Sequence, residues 1–155
     1  MKRQLNALLI AGLLALLAAA DVGAAGWEDI DWLDGAAGYA EAVERAEQSG
    51  DPVLVYFYTD WCPYCRQFNN SLLGEAAVQA ELDSMLAVRV DAEGGPDERS
   101  LAAHYRVRGY PALYVYTAQQ GGSFEPIRRT ISDGSGGVRL KTAEEFVATL
   151  RAATR

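Results

Sequence analysis

The chain has 155 residues, half of them apolar and 23% charged, with a formal net charge of -7 from 14 basic and 21 acidic residues. That balance supports one domain with a real core and excludes a disordered chain. Two cysteines exclude a disulfide-stapled miniprotein, and with one histidine they cannot fill a four-ligand structural zinc site without borrowed carboxylates. No basic patch stands out, so nucleic acid is not an expected partner.

Lys2 and Arg3 precede an almost wholly apolar run, Leu5 to Ala20, and small residues follow. This order predicts a secretory signal peptide over 1–25, cleaved after Ala20 or Ala25. The run is shorter than the roughly 20 residues that comfortably span a bilayer. Cleavage after Ala20 removes Lys2 and Arg3 and takes the charge from -7 to -9; cleavage after Ala25 also removes Asp21 and gives -8. The expected product is an acidic periplasmic or secreted monomer, a single domain over 26–155, in a compartment where disulfides persist.

Along that domain, Ile30 and Trp32 suggest a short leading strand broken by Gly35 and Gly38. Tyr39 to Gln48 has helical spacing and ends at Ser49-Gly50. Val53 to Tyr58 is a continuous apolar, β-favouring run, as in a strand buried on both faces. Thr59-Asp60 closes it, and Trp61-Cys62-Pro63-Tyr64-Cys65 follows at once, with a helix from Pro63 that Gly74 interrupts and Ala76 to Leu82 continues. Further strands are expected at Met85 to Val90, Ala112 to Tyr116 and Pro126 to Ile131, with a helix from Asp97 to Tyr105. Gln119 to Ser123 reads as a turn and Gly134 to Gly137 as a flexible loop. Thr142 and Glu145 form a capping box for a final helix whose buried stripe is Phe146, Val147 and Leu150. Strands alternating with helices imply an α/β fold, a mixed central sheet flanked by helices on both faces.

The chemistry-bearing pair is Cys62 and Cys65. Three residues apart in a helical turn, their sulfurs can meet. Cys62 at the helix start is favoured as a thiolate by free backbone N–H groups and the helix dipole. Cys65, one turn in, is expected to be more shielded, which makes Cys62 the attacking sulfur and Cys65 the resolving one. A purely structural disulfide closing so short a ring adds only about 2 kcal/mol in the chain-entropy model. Trp61 offers a flat side chain to shield the site edge. Tyr110-Pro111 precedes an apolar strand, and X-Pro is the one bond where a cis peptide costs little. A cis bond leaves the Tyr110 backbone open to an extended peptide. His104 reads as solvated, and Tyr56, Tyr58, Tyr114 and Tyr116 as packing residues. Arg106 and Arg108 are basic points flanking the loop before Pro111.

At these residues the chain resembles the thioredoxin superfamily over about 28 to 152. The resemblance rests on the apolar strand running into Trp61-Cys62-Pro63-Tyr64-Cys65 and on Gly109-Tyr110-Pro111 after it. Asp51 to Phe68 is most similar to the C-terminal periplasmic thioredoxin domain of membrane disulfide reductases of the DsbD type, and to single-domain secreted relatives, through Tyr58, Asp60, Trp61 and Phe68. The inner Pro63-Tyr64 resembles glutaredoxins. The resemblance implies a thioredoxin-like fold in which Pro111 is cis and lies against the disulfide. It implies catalysis by Cys62 and Cys65, supported by Trp61, Pro63, Tyr64, Tyr110 and Pro111, with no metal and no cofactor beyond the Cys62–Cys65 disulfide itself. The partners it implies are substrate proteins with disulfides and an upstream dithiol electron donor such as a membrane reductase, with reduction preferred over oxidation. Two departures stand out. Thioredoxins carry a buried carboxylate where this chain has Tyr56, and DsbD-type domains carry a further acid where it has Asn69. A disulfide oxidase or isomerase using the same cysteines and a Cu(I)-binding delivery module are the alternative readings.

Overall fold

A computed structural model describes residues 26–155, and the predicted signal peptide lies outside the described residues. Its central sheet has five strands in the order β1-β3-β2-β4-β5. They are β1 (Trp32–Asp34), β2 (Val53–Tyr58), β3 (Leu86–Asp91), β4 (Ala112–Thr117) and β5 (Ser123–Pro126). β1 and β2 run parallel to β3, β4 runs antiparallel to β2, and β5 antiparallel to β4. The helices are α1 (Gly35–Ser49), α2 (Pro63–Phe68), α3 (Ala76–Leu82), α4 (Pro96–His104) and α5 (Ala143–Ala153). This is the mixed, helix-flanked α/β sheet expected from the sequence.

β2 has no alternation because it has no solvent face. Leu54 and Tyr56 pack with Phe68, Leu72, Leu82, Leu113, Phe146 and Leu150 on one side of the sheet. Val53, Val55 and Phe57 pack with Ala42, Ala46, Val88, Val90 and Tyr105 on the other. All five of these β2 side chains are fully buried. Each is worth roughly 1.5–3 kcal/mol of burial before chain entropy is subtracted, so the strand's position is firmly fixed.

Four local readings are corrected. The leading strand does end at Asp34, immediately before Gly35, but Gly35 and Gly38 belong to the first turn of α1, which starts four residues earlier than its apolar spacing indicates. A Cβ on Gly38 would lie 2.6 Å from the Leu33 carbonyl carbon, so the glycine allows the close approach of helix and strand. Ile30 lies outside β1, after a 3-10 turn at Trp27–Asp29. The turn expected from Gln119 to Ser123 is shorter, because Ser123 already pairs with Thr117 in β5.

The fourth correction has the largest consequence. Pro126 to Ile131 is not one strand. β5 ends at Pro126, and a separate antiparallel hairpin follows, β6 (Thr130–Ser132) with β7 (Val138–Leu140). The glycine-rich segment between them is a defined turn. Asp133 Oδ1 accepts the backbone N–H groups of Ser135 (2.8 Å) and Gly137 (3.0 Å), while Gly134 and Gly136 take positive φ of 80° and 95°. The hairpin is tied to α5 by Arg139, which donates two 2.7 Å hydrogen bonds to Glu145. Glu145 also accepts the Thr142 N–H at 2.9 Å, and Thr142 Oγ1 accepts the Glu145 N–H at 3.3 Å, completing the expected capping box.

Glu145 therefore links hairpin and helix. The Arg139 guanidinium first, and then the Thr142 N–H, hold its carboxyl down at about 2. A depressed folded-state value contributes stability above the unfolded value and loses it as pH falls towards the folded one. Glu145→Gln is expected to lower the melting temperature at pH 7. That deficit should shrink between about pH 4.5 and 2, as followed by circular dichroism melts across pH.

Candidate active site

The end of β2 delivers the chain to the site. Tyr58 is its last residue, Thr59 is buried beyond it, and the Cys62 N–H donates to the Thr59 carbonyl at 3.2 Å. Pro63 then opens α2 at the position where its missing N–H costs nothing. Cys62 is the N-cap. It forms a disulfide with Cys65, their Cα atoms 5.3 Å apart. Its sulfur also accepts the Cys65 backbone N–H at 3.1 Å, the place a capping oxygen ordinarily takes.

The expected difference in shielding between the two cysteines is absent from the disulfide form: Cys62 is 3% exposed and Cys65 2%. Both cysteines are buried. The asymmetry that remains is electrostatic, since Cys62 is the one that accepts the backbone N–H at the helix start.

The rim is aromatic. Trp61 and Tyr64, one residue before and between the cysteines, are each 62% exposed. The Trp61 indole meets Tyr110 edge-on at 6.4 Å and donates its N–H to Glu93 at 3.0 Å. Tyr110-Pro111 is a cis peptide bond and leads into β4, the neighbour of β2. Trp61 and Tyr110 are thus in contact, with Pro63 and Tyr64 on the other side of Cys62 in α2. Glu93, in the loop after β3, was not foreseen from the sequence. A glutamate in a polar loop carries no signal of its own; only the fold brings it to the indole.

Beneath the helix, the two departures from the superfamily meet. Asn69 is buried, and its Oδ1 accepts the Tyr56 hydroxyl at 2.8 Å. Tyr56 also packs edge-on against Phe68 of α2. Burial first, and then neighbouring Tyr58, push the Tyr56 phenol above its ordinary value, so it stays neutral across the physiological range. The positions filled by acids in relatives are here filled by a neutral, mutually satisfied pair. Asp60 is exposed, and its backbone carbonyl accepts from Arg66 at 3.2 Å.

His104 ends α4, exposed and beside Phe124, with ring centroids 5.9 Å apart. Among the described residues no group of three or more His, Cys, Asp or Glu side chains is placed to hold a metal ion. Arg129, in sequence only one of several basic points on an acidic protein, has a more particular setting. It precedes β6, is half-buried, and its Nε is buried without a hydrogen-bond partner.

Comparison with known proteins agrees with this geometry. A family profile described as thioredoxin-like matches residues 31–118. The chain is 33% identical over 114 residues, 73% of its length, to the thiol:disulfide interchange protein DsbD of Ralstonia nicotianae, of which it covers 17%. It is 34% identical over 88 residues, 56% of its length, to DsbD 1 of Pseudomonas aeruginosa, of which it covers 15%. The chain thus spans about one sixth of the length of these curated relatives. Among solved structures it is similar to a thioredoxin from Thermus thermophilus, with TM-score 0.58 and 28% identity over 78% of this chain and 84% of that one. The reduced DsbD C-terminal domain of Neisseria meningitidis shares the fold, with TM-score 0.61 and 22% identity over 79% of this chain and 98% of that one. On fold, disulfide and relatives together, the chain belongs to the thioredoxin-like family and is a thiol–disulfide oxidoreductase.

Proposed function

We propose that the protein is an exported oxidoreductase that reduces disulfides in substrate proteins through Cys62 and Cys65, without any resident cofactor. The carrying observation is the Cys62 sulfur, disulfide-bonded to Cys65 and accepting its N–H at the start of α2. In the reduced protein that N–H favours a Cys62 thiolate over a thiol. The thiolate attacks one sulfur of a substrate disulfide; the S–S bond breaks and the other substrate sulfur leaves as a thiolate. Cys65, deprotonated to solvent, then attacks the Cys62 sulfur of the mixed disulfide. The second substrate thiolate leaves, and the Cys62–Cys65 bond re-forms. Two electrons pass from the protein dithiol to the substrate disulfide, and an upstream dithiol protein restores them.

The rim assists without reacting. Trp61, held by Tyr110 and Glu93, and Tyr64 across Cys62 supply apolar surface for a partner's chain. Tyr110 and Pro111 supply backbone beside it. Reduction rather than oxidation follows the resemblance of Asp51 to Phe68 to membrane disulfide reductases, and export the leader pattern of residues 1–25. No helix among the described residues is long and apolar enough to cross a membrane.

Cys62→Ser is expected to abolish turnover of a model protein disulfide such as insulin. Cys65→Ser should instead accumulate mixed disulfides, visible by non-reducing electrophoresis and mass spectrometry. Undiminished turnover in both variants would discard the mechanism. For export, full-length protein expressed in a Gram-negative host should be recovered from the periplasm with Asp21 or Gly26 at its new N-terminus.

The neutral Tyr56–Asn69 pair separates two roles. Tyr56→Phe leaves the Asn69 carbonyl buried without its donor and should cost about 1–3 kcal/mol of stability. Because the phenol stays protonated, the pH profile of exchange should be unchanged. A shifted profile would make Tyr56 part of the proton pathway.

A further inference from the structure

We propose that the groove between α2 and the β6–β7 hairpin receives an acidic, extended segment of the partner protein, and that Arg129 selects it. The proposal rests on the exchange reading above and names the partner chemistry that this site prefers.

The groove is about 420 Å³ and is lined by Tyr64, Gln67, Arg129 and Thr130, and by Val138, Arg139 and Leu140 of β7. Tyr64 stands between the two cysteines in sequence, so one wall of the groove belongs to the same short helix that carries the disulfide. The far wall belongs to the hairpin, which lies beyond the 31–118 segment matched by the family profile. Val138 is 74% exposed and Tyr64 62%, and both line the groove. Two large side chains left open in one groove are suited to burying a partner's apolar residue.

Arg129 supplies the selectivity. Arg45, Arg89, Arg139 and Arg151 each pair with a carboxylate of this chain. Among the described residues Arg129 has no ion pair, and its Nε is buried without a hydrogen-bond partner. Its surroundings are the phenols of Tyr56 and Tyr64 and the groove itself. A half-buried cation with no counter-charge has lost solvation without repayment. A carboxylate entering the groove restores that balance at short range. The protein as a whole is acidic, so long-range attraction favours basic partners. Arg139, which also lines the groove, is already paired with Glu145, so preference for an acidic segment comes from Arg129 and not from net charge, which makes the two sources separable.

The test uses the full mature chain, reduced at Cys62 and Cys65, in single turnover with two symmetrical peptide disulfides. The peptides share a leucine near the cysteine and differ only in carrying Glu or Lys at the adjoining positions. Neutral dipyridyl disulfide serves as the control for exchange itself. At low ionic strength the Glu peptide should oxidise the protein about fivefold faster than the Lys peptide, with the ratio falling as salt is added. Arg129→Gln should bring the ratio to one or below, Arg129→Lys should retain part of it, and both should react normally with dipyridyl disulfide. Val138→Asp, at an exposed position that folding does not need, should slow the Glu peptide with Arg129 intact. A Lys peptide equal to or faster than the Glu peptide in the unaltered protein overturns the proposal, as does a Glu preference that survives Arg129→Gln. A chain inert to dipyridyl disulfide overturns the exchange reading instead. The groove is then judged by calorimetry with the linear Glu peptide, its cysteine replaced by serine: binding that depends on Arg129 upholds it, and no binding overturns it.

Discussion

The two-sided burial of β2 is the constraint on which the rest of the molecule depends. Five consecutive fully buried side chains, Val53 to Phe57, lock the strand in register with β3 and β4. A one-residue slip would exchange the inward sets of the two cores, so the strand end has no freedom to wander. That end is Tyr58, and four residues later comes Cys62. The disulfide is thus placed by packing on both faces of a sheet, and its chemistry is set by the first turn of a short helix. The cap is unusual only in its atom: sulfur stands where oxygen ordinarily accepts the N–H.

Legibility in the sequence followed the physics of each signal. β2 was readable because burial on both faces leaves an unbroken apolar run. The capping box of α5 was readable because Thr142 and Glu145 satisfy each other locally. Cys62, Cys65 and Pro63 were readable because their spacing alone carries chemistry. What failed was non-local or masked. The first turn of α1 was hidden by two glycines, whose reason for being there is the backbone of Leu33. The β6–β7 hairpin was hidden because each strand is only three residues long and the connecting turn looks like a flexible glycine tract. The equal covering of both cysteines could not be foreseen either, because it depends on tertiary packing and not on their place in the helix.

The electrostatic character of the site also separates this chain from the relatives its sequence resembles. Two positions expected to carry acids instead join hands as phenol and amide, 2.8 Å apart and neutral. A carboxylate beneath the sulfurs would oppose a nearby thiolate and offer a place for its proton. The neutral pair does neither. Arg129 adds a positive charge to the surroundings of the Tyr56 hydroxyl. Proton release from Cys65 must then pass to solvent or to the departing substrate sulfur, which ties the resolving step to how openly the mixed disulfide meets water.

The margins of the sheet bear on how this molecule meets others. β1 is three residues long and ends in Asp34, whose carboxylate is engaged by Arg89 of the adjacent strand. β5 is four residues long and ends in Pro126, which has no N–H to offer. Neither border presents a long ladder of free amides and carbonyls onto which a neighbour could graft its own strand. An oxidoreductase that bonds only briefly to a partner chain, as proposed for this one, has reason to avoid such permanent adhesion. Blunted borders leave the aromatic rim around the disulfide as the natural place for contact, where attachment ends when a sulfur departs.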